Sequence, residues 1–319
     1  MIQKNRYCTK LLALFSSFAC LGGAVNDIPI TEGTIPFTYQ GETYQTYYKV
    51  VGDLATVDGS NTPLVVLHGG PGLSHDYLLP ISDLAIKASI PIVFYDQIGN
   101  ARSTHLRDKP SSFWTIDLFV DELANLISSL SVQNSFALLG HSWGGVLGAE
   151  FEVRRQPEGL RYLILSDSLA ASDLWSQSTA MLARSFPKAV QEGLAAGMTN
   201  MEEFRPALAQ FNAVHGCTVK PVPKEMTYSF NQIFGPNGDP TVARADILQN
   251  WTIIDRLDLV RTSTLVINGR NDIAQDFVVA PFYQNIAEVK WITFEQSSHT
   301  PFWEERDRYM QVVSSFLRP

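Results

Sequence analysis

From Ile30 onward, short apolar runs rich in β-branched and aromatic residues alternate with stretches in which apolar residues recur at helical spacing. That alternation builds a mostly parallel sheet covered by helices. Strands are predicted at Thr43–Val51, Pro63–Leu67, Pro91–Tyr95, Phe136–Leu139, Leu160–Leu165, Ser263–Ile267 and Val289–Phe294. Between them, Ile116, Phe119, Val120, Leu123, Leu126, Ile127 and Leu130 mark one buried face of a helix over 113–130. Further helices are predicted at Val146–Arg155, Phe277–Ile286 and Trp303–Leu317.

The regular spacing fails once. Nearly a hundred residues separate Leu165 from Ser263, far more than an ordinary connection between neighbouring strands. The intervening segment, 172–255, carries helix formers at Met181–Phe186, Ala189–Ala196 and Met201–Phe211, broken by Pro221-Val222-Pro223 and by Gly235-Pro236-Asn237-Gly238. An inserted helical cap over the sheet edge is the expected result, with 25–171 and 256–319 forming the core.

Candidate chemistry gathers where predicted strands end. Gly140-His141-Ser142-Trp143-Gly144 stands between an apolar run and a helical one, the setting in which G-x-S-x-G turns a serine out alone on a sharp bend. Such a motif recurs by chance, so its weight depends on partners. A serine hydroxyl needs a base and a group that orients the base. Asp272 and His299 follow Ser142 in that order, each just beyond a predicted strand. Donors for a developing oxyanion are available in the backbone N–H groups of Trp143 and of Gly70, within His68-Gly69-Gly70-Pro71-Gly72. Trp143 is also the aromatic side chain expected to line the site; Trp175 and Trp251 read as core.

These motifs, with Asp96-Gln97, Gly99 and Ser103, the Gly269-Arg270-Asn271-Asp272 run, Ser298-His299, His215-Gly216-Cys217 and Phe234-Gly235-Pro236-Asn237, resemble the proline iminopeptidase branch of the α/β-hydrolase superfamily. The resemblance runs from about Ile30 to the end. It implies an α/β-hydrolase fold, a serine hydrolase for small amides or esters, and removal of an N-terminal residue, often proline. It also implies glutamates that hold the substrate's α-amine, one after Gly-Pro-Asn and one after the catalytic aspartate. Here those positions are Gly238 and Ile273. A buried ammonium needs a carboxylate partner, and Asp239 is the expected substitute, with Glu202 and Glu203 as weaker ones. Three readings follow: a serine hydrolase of altered specificity, a biosynthetic enzyme using the same pocket for lyase, cyclisation or acyl-transfer chemistry, and a binding protein on a hydrolase scaffold.

Composition narrows the partners. A formal charge of −8 without a basic cluster excludes a nucleic-acid ligand, leaving a small molecule or short peptide. No metal cluster, phosphate loop or dinucleotide fingerprint is present, so no cofactor is implied. Lys4, Arg6 and Lys10 precede an apolar run at 11–21 and small residues at 22–24, the order of a secretory leader too short for a stable membrane span. Its removal would take Cys8 and Cys20 and leave Cys217 without a disulfide partner. The Asn250-Trp251-Thr252 sequon suits secretion.

Overall fold

The computed structural model describes residues 28–54 and 62–318; the leader expected at 1–24 lies outside them. Eight strands form one sheet in the order β1-β2-β4-β3-β5-β6-β7-β8: β1 (Ile30–Tyr39), β2 (Glu42–Val51), β3 (Leu64–Leu67), β4 (Ile92–Asp96), β5 (Phe136–His141), β6 (Leu160–Ser166), β7 (Ser263–Gly269) and β8 (Val289–Phe294). The first two strands and the β2–β4 pair are antiparallel. From β4 to β8 every pairing is parallel, so the loops after these strands share one edge, where open α/β sheets bind ligands.

Alternation along the central strands feeds two cores. Val65 and Leu67 of β3 and Leu138 of β5 face α2 (Ile116–Ser129), α3 (Trp143–Arg155) and α8 (Asp276–Asn285). Leu64, Val66 and Leu139 face the opposite way, toward α1 (Asp83–Ala88), α9 (Pro301–Glu304) and α10 (Arg306–Phe316). These side chains are fully buried, each contributing about 1.5–3 kcal/mol relative to exposure.

Between β6 and β7 lie α4 (Ser172–Ala183), α5 (Lys188–Ala196), α6 (Met201–His215) and α7 (Lys224–Phe234). The sequence reading stopped at Pro221-Val222-Pro223, yet Pro223 sits at the N-cap of α7, where the missing N–H costs little because first-turn donors lack intrahelical partners. It also missed β1, whose edge position leaves six of ten residues exposed and blurs the alternation. The closing helix breaks at Glu305, whose backbone leaves helical geometry (φ −122°, ψ 50°) while its carboxylate accepts from Ser297 Oγ at 2.8 Å and Gln296 N at 3.0 Å. Among the described residues no helix is long and apolar enough to cross a membrane.

Candidate active site

Ser142 occupies the bend between β5 and α3 with φ 56° and ψ −122°, a geometry costly for any residue with a Cβ. The bend persists because its neighbours approach closely. A Cβ on Gly140 would lie 2.1 Å from the Gly144 carbonyl oxygen, and one on Gly144 would lie 2.1 Å from that of Leu67. Only glycine lets the first turn of α3 press against both β5 and β3.

Asp272 follows β7 and His299 follows β8. The Asp272 carboxylate is fully buried; its Oδ1 accepts from His299 Nδ1 at 2.6 Å and from Ala274 N at 2.9 Å. Ser142 and His299 line one cavity of about 410 Å³ together with Gly69 and Gly70. Among the described residues Ser142 Oγ has no hydrogen-bond partner. The serine–histidine contact is often long in unliganded sites and tightens when substrate enters.

The loops that carry these groups are tied together. His68 Nδ1–H donates to the Gly69 carbonyl at 3.0 Å, while His68 Nε2 accepts from Gln97 N at 3.0 Å. Gln97 Nε2 donates back to the His68 carbonyl, and Trp143 Nε1–H donates to Gln97 Oε1 at 2.8 Å. Burial lowers the His68 pKa to about 4, which keeps the imidazole neutral and able to accept. A second chain starts at Gly69 N–H, which donates to the Tyr77 oxygen at 2.7 Å; Tyr77 O–H donates to His141 Nδ1 at 2.7 Å, and His141 Nε2–H donates to the His299 carbonyl at 2.7 Å. Burial, and then the neighbouring His299, hold the His141 pKa well below the usual histidine range. Between them the two chains anchor the Gly70 loop to both flanks of Ser142. The backbone N–H of Trp143, in the first turn of α3, has no intrahelical acceptor by position, and the N–H of Gly70 has none among the described residues.

Several expectations need correction. The Trp143 indole is buried against Phe119 and bound to Gln97 rather than lining the cavity; Trp175 is the tryptophan that meets the site, its ring 5.6 Å from that of His299. Asp239 does not reach the cavity. Its oxygens are taken by His105 Nδ1 at 2.6 Å, Arg107 Nε at 3.3 Å and Thr241 Oγ1 at 2.6 Å, so it fastens the segment after α7 to the loop after β4. Glu202 and Glu203 are exposed in the first turn of α6, where acidic groups favour the helix dipole. At Gly238 a Cβ would stand 2.5 Å from the Ile233 carbonyl oxygen, leaving no room for any side chain on this backbone.

The insertion supplies the rest of the cavity. Arg205, Leu208, Ala209, Asn212 and Ala213 of α6 face it, a spacing that puts them on one helix face. Met226, Phe230 and Phe234 of α7 face it from the other side, with the buried free thiol of Cys217 below. Among the described residues no carboxylate lines the cavity, and its cationic groups, Arg205 and Lys220, make no ion pair.

Residues 64–312 match the family model described as the alpha/beta hydrolase family. The chain is also 30% identical over 300 residues to a proline iminopeptidase of Lactobacillus delbrueckii subsp. bulgaricus, covering 90% of this chain and 98% of that protein. The chain belongs to the α/β-hydrolase family, in its proline iminopeptidase branch. It is therefore a hydrolase by kinship. Among solved structures, VinJ superposes with a TM-score of 0.82 at 38% identity, covering 90% of this chain and 98% of that one. The proline iminopeptidase of Mycobacterium smegmatis gives 0.77 at 33% identity, covering 90% and 97%. Both matches cover 90% of this chain, so the likeness takes in the helices that enclose the cavity as well as the sheet.

Proposed function

We propose that this α/β-hydrolase is a serine hydrolase that cleaves a small amide, peptide or ester bond through an acyl-enzyme on Ser142, and that its substrate presents no free, charged amine beside the scissile bond. Substrate enters with its carbonyl carbon facing Ser142 Oγ. His299 Nε2 takes the hydroxyl proton as Oγ attacks, while Asp272 Oδ1 holds the Nδ1–H side of the ring and stabilises the imidazolium that forms. The N–H groups of Gly70 and Trp143 receive the oxyanion. His299 then returns its proton to the leaving nitrogen or oxygen, and water repeats the sequence on the acyl-enzyme, releasing the acid and regenerating Ser142.

The observation that carries the substrate half of this reading is the charge of the cavity wall. Arg205 and Lys220 line it and no carboxylate does among the described residues. An ammonium in such a place would lose water and gain no counter-charge, whereas a neutral, acylated or anionic group would not. The test compares proline and alanine p-nitroanilides, their N-acylated forms, and p-nitrophenyl esters. Turnover of the acylated amides and esters well above that of the free amines is expected; efficient turnover of free-amine substrates alone would sink the proposal. The leader-like order of residues 1–24 supports secretion, which N-terminal sequencing of the mature protein would check: a start near residue 25 agrees, an intact Met1 disagrees.

A further inference from the structure

Behind the Asp272–His299 pair lies a second carboxylate that the mechanism above does not use. Asp167 follows β6 directly, is fully buried, and takes φ 53°, with its N–H donating to the Ile267 carbonyl of β7 at 2.7 Å. Its Oδ2 accepts from Ser166 Oγ at 2.6 Å, and Ser166 Oγ accepts from Tyr309 O–H at 3.0 Å. Within this cluster two buried oxygens then find no partner among the described residues: Oδ1 of Asp167 and Oδ2 of Asp272. Asp167, Asp272 and His299 each bring a side-chain oxygen or nitrogen within 4.8 Å of the other two.

Two carboxylate oxygens facing each other in a dry interior are both acceptors, and neither is left unpaired without cost. One proton between them resolves both vacancies. We infer that Asp167 is held as the neutral acid and donates its Oδ1–H to Asp272 Oδ2, as a positioning residue that orients the carboxylate serving His299. The proton resides on Asp167 because Asp272 already receives two N–H donors, from His299 and Ala274, while Asp167 receives only a hydroxyl. Burial, and next the charge of Asp272, push the Asp167 carboxyl well above the ordinary carboxylate range. The other groups that bear on it, Glu304 of α9, Tyr309 of α10 and Tyr77, supply no positive charge to reverse this.

The assignment of a positioning role rests on the proposed roles of Asp272 and His299, but the protonation state does not, so two measurements separate them. Infrared difference spectra of wild type against Asp167→Asn at neutral pH should show the C=O stretch of a buried protonated carboxyl, whatever the enzyme hydrolyses; its absence overturns the shared proton. Stability gives a second readout. A carboxyl whose folded pKa is raised contributes stability that is lost as pH rises above the unfolded value near 4. The gain of Asp167→Asn over wild type in urea titrations should therefore grow with pH from about 4 upward; a pH-independent difference overturns the proposal. On p-nitrophenyl esters, Asp167→Asn, whose amide N–H replaces the lost O–H, should keep kcat within about threefold, whereas Asp167→Ala should lower kcat by about ten- to a hundredfold with KM little changed. Equal losses in the two folded variants would overturn the positioning role, and activity surviving Ser142→Ala would instead overturn the serine mechanism while leaving the infrared result to stand.

Discussion

The wall of the cavity built from the sheet loops and the wall built from the insertion hold their polar groups in different ways. On the sheet side, His68, Gln97, Tyr77, His141 and Asp272 are buried and bound to one another or to backbone. Each hydrogen bond fixes a loop that carries one of the proposed reacting groups, so their geometry is set by the fold itself. On the insertion side, Arg205 and Lys220 are exposed, lack ion-pair partners among the described residues, and stand among Leu208, Phe230 and Phe234. A bound network cannot change one member without unpairing another, whereas an apolar wall tolerates replacement at modest cost. Under the proposed function, this difference would leave the chemistry to the sheet and the choice of substrate to the insertion.

Ser142→Ala offers the harshest test of that division. Esterase activity should fall by about 10⁴-fold or more while the melting temperature stays near that of the parent, since Ser142 Oγ carries no hydrogen bond among the described residues; substantial residual turnover would show that the sheet side does not supply the nucleophile. Tyr77→Phe strikes the network alone. It leaves Gly69 N–H and His141 Nδ1 unpartnered, and should lower kcat by about tenfold and stability by about 1–3 kcal/mol, read in parallel by steady-state kinetics and chemical denaturation. An unchanged kcat would mean that the Gly69 loop does not depend on this link. The paired change of Arg205→Glu with Lys220→Glu should act oppositely, leaving ester kcat nearly constant while shifting kcat/KM by about five- to tenfold toward substrates with a free amine. No shift would remove charge from the insertion's part in selection.

A last effect is one of pH. His68 is depressed to about 4 by burial, so the unfolded chain binds its proton near 6.5 and the folded chain does not. Stability should thus hold above pH 6.5 and decline between 6.5 and 4 by about 1.4 kcal/mol per pH unit for this histidine. Glu122, raised to about 8 by burial and accepting from Ile98 N at 2.9 Å, has the opposite sign and lowers stability as pH rises from about 4 to 8. Below pH 6.5 the two slopes oppose each other, so in urea titrations His68→Gln should make stability fall with rising pH across that interval, whereas Glu122→Gln should make it rise there and hold level above 6.5.

Strand positions were legible because the central strands are apolar throughout, and the places of Ser142, Asp272 and His299 at their ends followed from short motifs read in order. What escaped were roles made by distant contacts. Tyr77 carries no local signature, and the motifs that contain Gln97 and His141 do not say what those side chains bind; each matters because the folded sheet brings three loops together. Asp167 was hidden for the same reason, since Asp272, the carboxylate it is proposed to orient, lies on a different strand end far along the chain. Asp239 was misjudged because proximity to a motif does not say where a side chain points, and here His105 and Arg107 turn it outward from the cavity. Trp143 was misjudged in one half: its N–H remains a candidate donor, but its ring belongs to the core.

The stitching of His68, Gln97 and Trp143 has a consequence for how the molecule breathes. The amide proton of Gln97 is held by a side chain from the loop after β3, and that of Gly69 by Tyr77, so neither is released by the fraying of a single loop. Their exchange with deuterated solvent requires separation of segments that the central sheet holds together. These amides should be among the slowest in the protein, at rates that follow global unfolding, although they lie in loops, that of Gly69 at the wall of the cavity.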